Sequence, residues 1–180
     1  MGTKRIDICM NAHAYDFKPR QDLLDIMSYV RSIDVSNWND PFAVTLRFQP
    51  MTDRYAAKTA VKQFFISLNR AIFKNAYRRY GKQLRRIGVF EGDNYPHYHL
   101  ILESPKEMNS DEFLELVRKL WGSTRHGVTY IRTNQGSQVP QFHMTQVYSN
   151  GWVSYLGKSR DKISVDDADI ENWFINTQHR

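Results

Sequence analysis

Two histidines flank a tyrosine in the stretch NYPHYHLILES, residues 94–104. The stretch alternates and is rich in strand-forming residues, so we predict a β-strand there. Because side chains alternate across a strand, His97 and His99 should share one face, about 6–7 Å apart along the strand. Tyr98 and Leu100 should face the core. Two imidazoles on one face could bind a divalent cation.

A third ligand is available just upstream. Glu91 ends the predicted strand QLRRIGVFE, and the following GDNY predicts a turn that closes a hairpin. Pairing of the two strands would bring Glu91 close to His97. A carboxylate beside two imidazoles suits Mg²⁺ or Mn²⁺ with positions left open for substrate oxygens. Glu103 and His143 are alternative ligands, and His143 would favour zinc-like chemistry.

A candidate nucleophile occurs near the end of the chain, in VSYLGKS. If this stretch is a short helix, Tyr155 and Lys158 lie on one face, since residues three apart are neighbours on a helix. A free phenol has a pKa near 10, so only about one in a thousand is ionised at neutral pH. A nearby cation, either the metal or Lys158, would favour the reactive phenolate.

Strands and helices that would position these residues are interspersed along the chain. The patterns predict strands at 42–48, 83–91, 96–104, 127–133 and 142–149, and helices at 20–32, 55–80, 109–122, 150–159 and 167–177. Several neighbouring strands are joined by short connections, which favours antiparallel pairing. We therefore predict an α+β fold in which helices pack on an antiparallel sheet.

Composition limits the class of protein. The 180 residues are 41% hydrophobic, typical of one globular domain, and Cys9 is the only cysteine, which excludes a disulfide framework and a zinc site built from cysteines. No secretory signal and no apolar run of the ~20 residues needed to span a membrane is evident. We therefore expect a cytoplasmic, non-secreted protein without a membrane partner.

The net charge of +6 favours a polyanionic partner. Six basic residues cluster within KNAYRRYGKQLRR, with tyrosines between them: Lys74, Arg78, Arg79, Lys82, Arg85 and Arg86. Such a block suits phosphate contacts together with base stacking, although it is also typical of a solvated helix end. Further candidates for stacking on bases are Trp121, Trp152 and Tyr130.

Taken together, these residues resemble the HUH endonuclease superfamily, in which a His–hydrophobe–His strand binds a metal and a helical tyrosine cleaves single-stranded DNA. FEGDNYPHYHLILES followed by YLGK is most similar to the Rep class of rolling-circle and parvovirus-like replication initiators. FAVTLRF resembles the first strand of that domain, so the similarity covers about 42–160. It implies an RRM-like antiparallel sheet of about five strands flanked by helices. It also implies that His97, His99 and Glu91 are metal ligands, Tyr155 the nucleophile and Lys158 its helper.

The resemblance implies metal-dependent nicking and joining of single-stranded DNA at an origin or element end, including a hairpin, through a 5′-phosphotyrosine intermediate. Only about 20 residues follow Lys158. We therefore expect a single nuclease domain over 1–180, without a helicase domain and served by a host helicase. The neighbouring Tyr148 is expected to be a strand residue rather than a second nucleophile. Two other classes stay open: a non-catalytic RRM-like nucleic-acid binder, and a metal-dependent phosphodiesterase that uses water.

Overall fold

The structure, a computed structural model, describes residues 21–92, 96–156 and 168–175. The helices are α1 (Gln21–Ser32), α2 (Arg54–Phe73), α3 (Asn75–Tyr80), α4 (Ser110–Gly122) and α5 (Gly151–Leu156), with a 3₁₀ turn at Ile170–Asn172. The strands are β1 (Phe42–Phe48), β2 (Arg86–Glu91), β3 (His97–Leu102), β4 (Gly127–Val128), β5 (Tyr130–Arg132), β6 (Gln138–Pro140) and β7 (His143–Gln146). None of the helices in these described ranges is long and apolar enough to cross a membrane.

Five strands form the main sheet, in the order β2-β3-β1-β4, with β7 also pairing with β1. All of these pairings are antiparallel. A separate two-stranded hairpin, β5–β6, lies outside this sheet. The predicted α+β class, with an antiparallel sheet of about five strands flanked by helices, is confirmed.

The sheet is covered by helices on both faces. On one face, Tyr98 and Leu100 belong to a buried cluster with residues of α2 and α4, including Phe64 and Trp121. Asp53 begins α2 by accepting a hydrogen bond from the Ala56 backbone N–H. The alternation of side chains along β3 therefore places its core residues on this face, as predicted, and the histidines on the other.

The second face is covered over only part of its area. Ala43, Ile87 and Ile101 form a buried cluster there with residues of α1 and with Val153 and Leu156 of α5. The half-buried His97 and His99 continue this face toward the start of β3. The histidines thus lie where the apolar cover ends.

Two predicted elements are each divided into two in the structure. The helix predicted over 55–80 breaks at Lys74, whose φ is 48°, and restarts as α3. The strand predicted over 127–133 divides into β4 of the main sheet and β5 of the hairpin.

The terminal helix predicted over 167–177 is wrong for its described part, 168–175. That segment forms a 3₁₀ turn, because its backbone bridges to β2 at Arg86 and Val89 instead of pairing within a helix. The Trp173 indole N–H also donates to the Gly88 carbonyl at 2.7 Å.

Candidate metal centre and adjoining tyrosine

The β2–β3 hairpin brings three potential ligands together. Its register pairs Glu91 with His97 and Val89 with His99. Residues paired across strands share a face, so Glu91 and both histidines project from the same side of the sheet. The predicted pairing of these two strands is confirmed.

The three side chains form one compact group. The Glu91 Oε2 atom lies 3.0 Å from His99 Nε2 and 3.7 Å from His97 Nε2. The two imidazole rings are nearly perpendicular, with centroids 5.0 Å apart. One ligand atom from each residue lies within 4.8 Å of the others, a spacing that could hold a metal ion.

The same group is partly exposed to solvent. The side chain of His99 is 13% exposed, and those of His97 and Glu91 are each 26% exposed. Two imidazole nitrogens and one carboxylate fit a divalent cation of borderline hardness and leave coordination positions for other oxygens.

A threonine that the sequence analysis did not identify contacts one of the potential ligands. Thr45 pairs with His99 across β1 and β3, and its Oγ1 atom lies 3.1 Å from His99 Nδ1. When the His99 proton is on Nδ1, that nitrogen donates to the hydroxyl and leaves the Nε2 lone pair for a cation bound between His99 and Glu91. Such an outer hydrogen bond fixes the tautomer and ring angle of a metal-binding histidine.

Tyr155 lies beside this group. Its ring centroid is 5.6 Å from that of His99, with the planes at 83°. On its other side, the Trp152 ring packs at 5.5 Å and 71°. Val153 and Leu156 are buried and hold α5 on the sheet, so the tyrosine ring is placed between an imidazole and an indole. Lys158 lies outside the described residues.

The alternative ligands lie elsewhere. Glu103, beyond the other end of β3, pairs with Arg85 at 2.5 Å and accepts a hydrogen bond from the Asn39 backbone N–H. Burial opposes ionisation of Glu103, but these hydrogen bonds prevail and lower its pKa. His143 pairs with Thr45 from β7, so one strand separates it from His99. We call Glu91, His97 and His99 the metal-ligating group, because they could hold a metal ion together. Within the described residues, neither Glu103 nor His143 belongs to this group.

Most of the predicted basic block lies away from the metal-ligating group. Lys74, Arg78, Arg79 and Lys82 are exposed, at the end of α2, on α3 and just after it. This segment precedes β2, and the first residue of β2 is about 17 Å from Glu91 at its far end. In addition, α2 packs on the opposite face of the sheet from the histidines. The structure therefore does not bring these four side chains to the candidate site.

Arg86, the last residue of the block, is a structural arginine. It is 6% exposed, and its guanidinium donates to the Asn172 carbonyl at 2.7 Å and to the Leu84 carbonyl at 3.1 Å. It also lies over the Phe65 ring. Burial lowers the pKa of Arg86 to about 10. The prediction of a DNA contact is not supported for this side chain, because its hydrogen bonds are made inside the protein.

The three aromatic residues predicted to stack on bases also differ in burial. Trp121 is fully buried and donates to the Arg47 carbonyl at 3.1 Å, so it belongs to the core. Tyr130 is 43% exposed on the β5–β6 hairpin, and Trp152 is 37% exposed beside Tyr155. Of these three residues, Trp152 is the one whose ring packs against Tyr155.

The prediction that Tyr148 is a strand residue is wrong, because β7 ends at Gln146 and Tyr148 lies in the connection to α5. Tyr148 is 86% exposed, and its hydroxyl donates to the Gln146 side chain. Among the described residues, the aromatic ring contacts of His97 and His99 do not include Tyr148.

No family model matches this chain, and searches of curated proteins and of solved structures find no match either.

Proposed function

We propose that the protein is a metal-dependent nicking and joining enzyme for single-stranded DNA, of the HUH Rep class. The observation that carries the proposal is the meeting of Tyr155 with the group formed by Glu91, His97 and His99 on one partly open face of the sheet. These residues come from the β2–β3 hairpin and from α5, which are far apart in the chain. A phenol beside a cation site is the arrangement that transesterification of a phosphodiester needs.

The proposed cofactor is Mg²⁺ or Mn²⁺, held by Glu91, His97 and His99. The ligand set of one carboxylate and two imidazoles is compatible with either ion. When bound, the cation would polarise non-bridging oxygens of the scissile phosphate and neutralise charge in the transition state. Thr45 keeps the His99 ring in the orientation that binding requires.

The proposed nucleophile is the Tyr155 hydroxyl. Its oxygen forms a bond to phosphorus while the bond from phosphorus to the upstream 3′-oxygen breaks. The phenolic proton is lost, and the departing 3′-oxygen gains a proton. The products are a 5′-phosphotyrosine adduct and a free 3′-OH end, so one phosphodiester is exchanged for another and the reverse step joins strands. Lys158 is proposed to assist the phenolate or position the phosphate.

The proposed substrate is an origin or the end of a mobile element in single-stranded form, including a strand exposed by a hairpin. A free 3′-OH at the nick could prime rolling-circle synthesis, with a helicase of the host separating the strands. The net charge of +6 is in keeping with a nucleic-acid partner.

The test uses a labelled pool of single-stranded oligonucleotides with a randomised central segment, because the recognised sequence is unknown. Wild type with Mn²⁺ should form a covalent protein–DNA species that survives denaturing electrophoresis, and EDTA should abolish it. Tyr155→Phe should form none, whereas the matched control Tyr148→Phe should form as much as wild type. Cleavage without an adduct would instead identify a water nucleophile. Metal-independent binding without cleavage would identify a non-catalytic binder.

A further inference from the structure

We infer that Arg47 binds the phosphate backbone of the DNA segment that is released with the 3′-OH end, an inference that rests on the proposed function. Arg47 is the only charged residue of β1, whose sequence is FAVTLRF. The other β1 side chains are buried except for the partly buried Thr45. An exposed arginine on this strand therefore needs a reason other than core packing.

The strand register places Arg47 beside the metal-ligating group. It pairs with His97 across β1 and β3, just as Thr45 pairs with His99. Paired residues share a face, so the Arg47 side chain projects from the histidine side of the sheet. The backbone at this point is held by the buried Trp121, whose indole N–H donates to the Arg47 carbonyl.

The charge of Arg47 is available for a ligand. The side chain is exposed and forms no ion pair with any residue that the structure describes. Its cross-strand neighbour on the other side is Val128 of β4, which brings no charge. A guanidinium presents a planar fork of donors that matches two phosphate oxygens, so Arg47 is suited to a phosphodiester.

Arg47 and Tyr155 are associated with different histidines of the candidate metal site, Arg47 with His97 and Tyr155 with His99. Tyr155 contacts His99 from α5, and α5 packs over the Ala43 and Ile101 end of the sheet. Arg47 lies in the opposite direction along β1, level with His97 and about 6–7 Å beyond the row of His99.

This order has a chemical consequence. In phosphoryl transfer the attacking and leaving oxygens lie roughly in line, on opposite sides of phosphorus. With Tyr155 as the attacking group, the departing 3′-oxygen and its strand point toward the His97 and Arg47 side. Arg47 would hold that strand after cleavage and so keep the 3′-OH in place for joining.

The experiment uses the oligonucleotide recovered from the randomised pool, divided at its cleavage site into an upstream half ending in 3′-OH and a downstream half. Binding of each half is measured for wild type, Arg47→Ala, Arg47→Lys and the exposed control Arg79→Ala on α3. Arg47→Ala should weaken the upstream half about tenfold or more, and the downstream half less than about twofold. Arg47→Lys should recover part of the loss, and Arg79→Ala should match wild type.

Two further readouts separate a substrate contact from a structural defect. The salt dependence of upstream binding, as a slope of log K against log salt, should fall by about 0.7 in Arg47→Ala, because one phosphate contact is lost. The variant should still form the Tyr155 adduct but should join an added upstream half more slowly. Equal weakening of both halves, or no weakening, would overturn the inference while leaving the proposed function intact. If wild type forms no adduct, both the inference about Arg47 and the proposed function are refuted.

Discussion

The substitution Thr45→Val tests whether the hydroxyl on β1 prepares His99 for metal binding. Valine keeps the size and branching of threonine but removes the oxygen that lies 3.1 Å from His99 Nδ1. A neutral hydrogen bond contributes about 0.5–1.5 kcal/mol, which corresponds to a ~2- to 13-fold change in affinity. Loss of an outer hydrogen bond at a metal site typically costs about 10- to 100-fold. These two ranges of affinity loss overlap near tenfold. The side chain of His99 is only 13% exposed, which limits replacement of the lost hydrogen bond by water.

The assay is titration of the protein with Mn²⁺ alone, following the free ion by electron paramagnetic resonance. Thr45→Val should bind Mn²⁺ about tenfold more weakly than wild type. The matched control is Thr145→Val on β7, in register with Ala43, which should bind within about twofold of wild type. In EDTA, the melting temperature of Thr45→Val should lie below that of wild type by no more than about 2–4 °C per kcal/mol of lost hydrogen bonding. A decrease within this range indicates that the variant is folded. Unchanged Mn²⁺ affinity in Thr45→Val would refute the role given to this hydroxyl.

Two further predictions concern neighbouring contacts. Trp152→Ala should slow single-turnover adduct formation about 2- to 13-fold, because Tyr155 loses an aromatic contact. Trp152→Phe should slow it less. Equal rates in wild type and both variants would contradict this role of Trp152. Because the pKa of Glu103 is lowered, its ionised pair with Arg85 stabilises the fold fully at pH values above 4.5, the ordinary pKa of glutamate. This stabilisation is lost as the pH falls through the pKa of Glu103 in the folded protein. The difference in urea midpoint between wild type and Glu103→Gln should therefore be largest above pH 4.5 and narrow below it, and a difference independent of pH would count against the pairing.

The hairpin that carries the candidate ligands could be predicted from the sequence because its signals are local. The connection GDNY is short, and strand alternation fixes which side chains share a face once the two strands pair. That pairing places Glu91 opposite His97 in the structure.

Thr45 and Arg47 could not be assigned in the same way. Their relation to the histidines depends on the register between β1 and β3, which are separated in the chain by two helices and β2. A slip of one residue would turn both side chains to the opposite face, and nothing local in FAVTLRF fixes that register. Tertiary pairing decides it.

The basic block shows that residues clustered in the sequence need not lie beside the candidate site. Its residues are close along the chain, but the exposed ones lie beyond the far end of β2 from Glu91. Arg86 instead faces Phe65 and the segment at 168–175, because its long side chain is satisfied by buried carbonyls. Which arginines are exposed near the site depends on helix placement, which periodicity does not specify.

The break at Lys74 was also beyond sequence reasoning. The helical pattern continues across it with neither glycine nor proline at the break, yet the backbone there adopts a φ of 48°. The spacing of apolar residues indicates which side chains can be buried, and it does not detect a single residue at which a helix is interrupted.

The most direct measurement is to identify by mass spectrometry the residue that carries DNA after wild-type protein is incubated with the randomised single-stranded pool and Mn²⁺. Peptide mapping should place a 5′-linked nucleotide on Tyr155, and the amount of this peptide should fall to background in EDTA. A nucleotide on another residue such as Tyr148, or cleaved DNA with free 5′-phosphate ends and unmodified Tyr155, would contradict the mechanism.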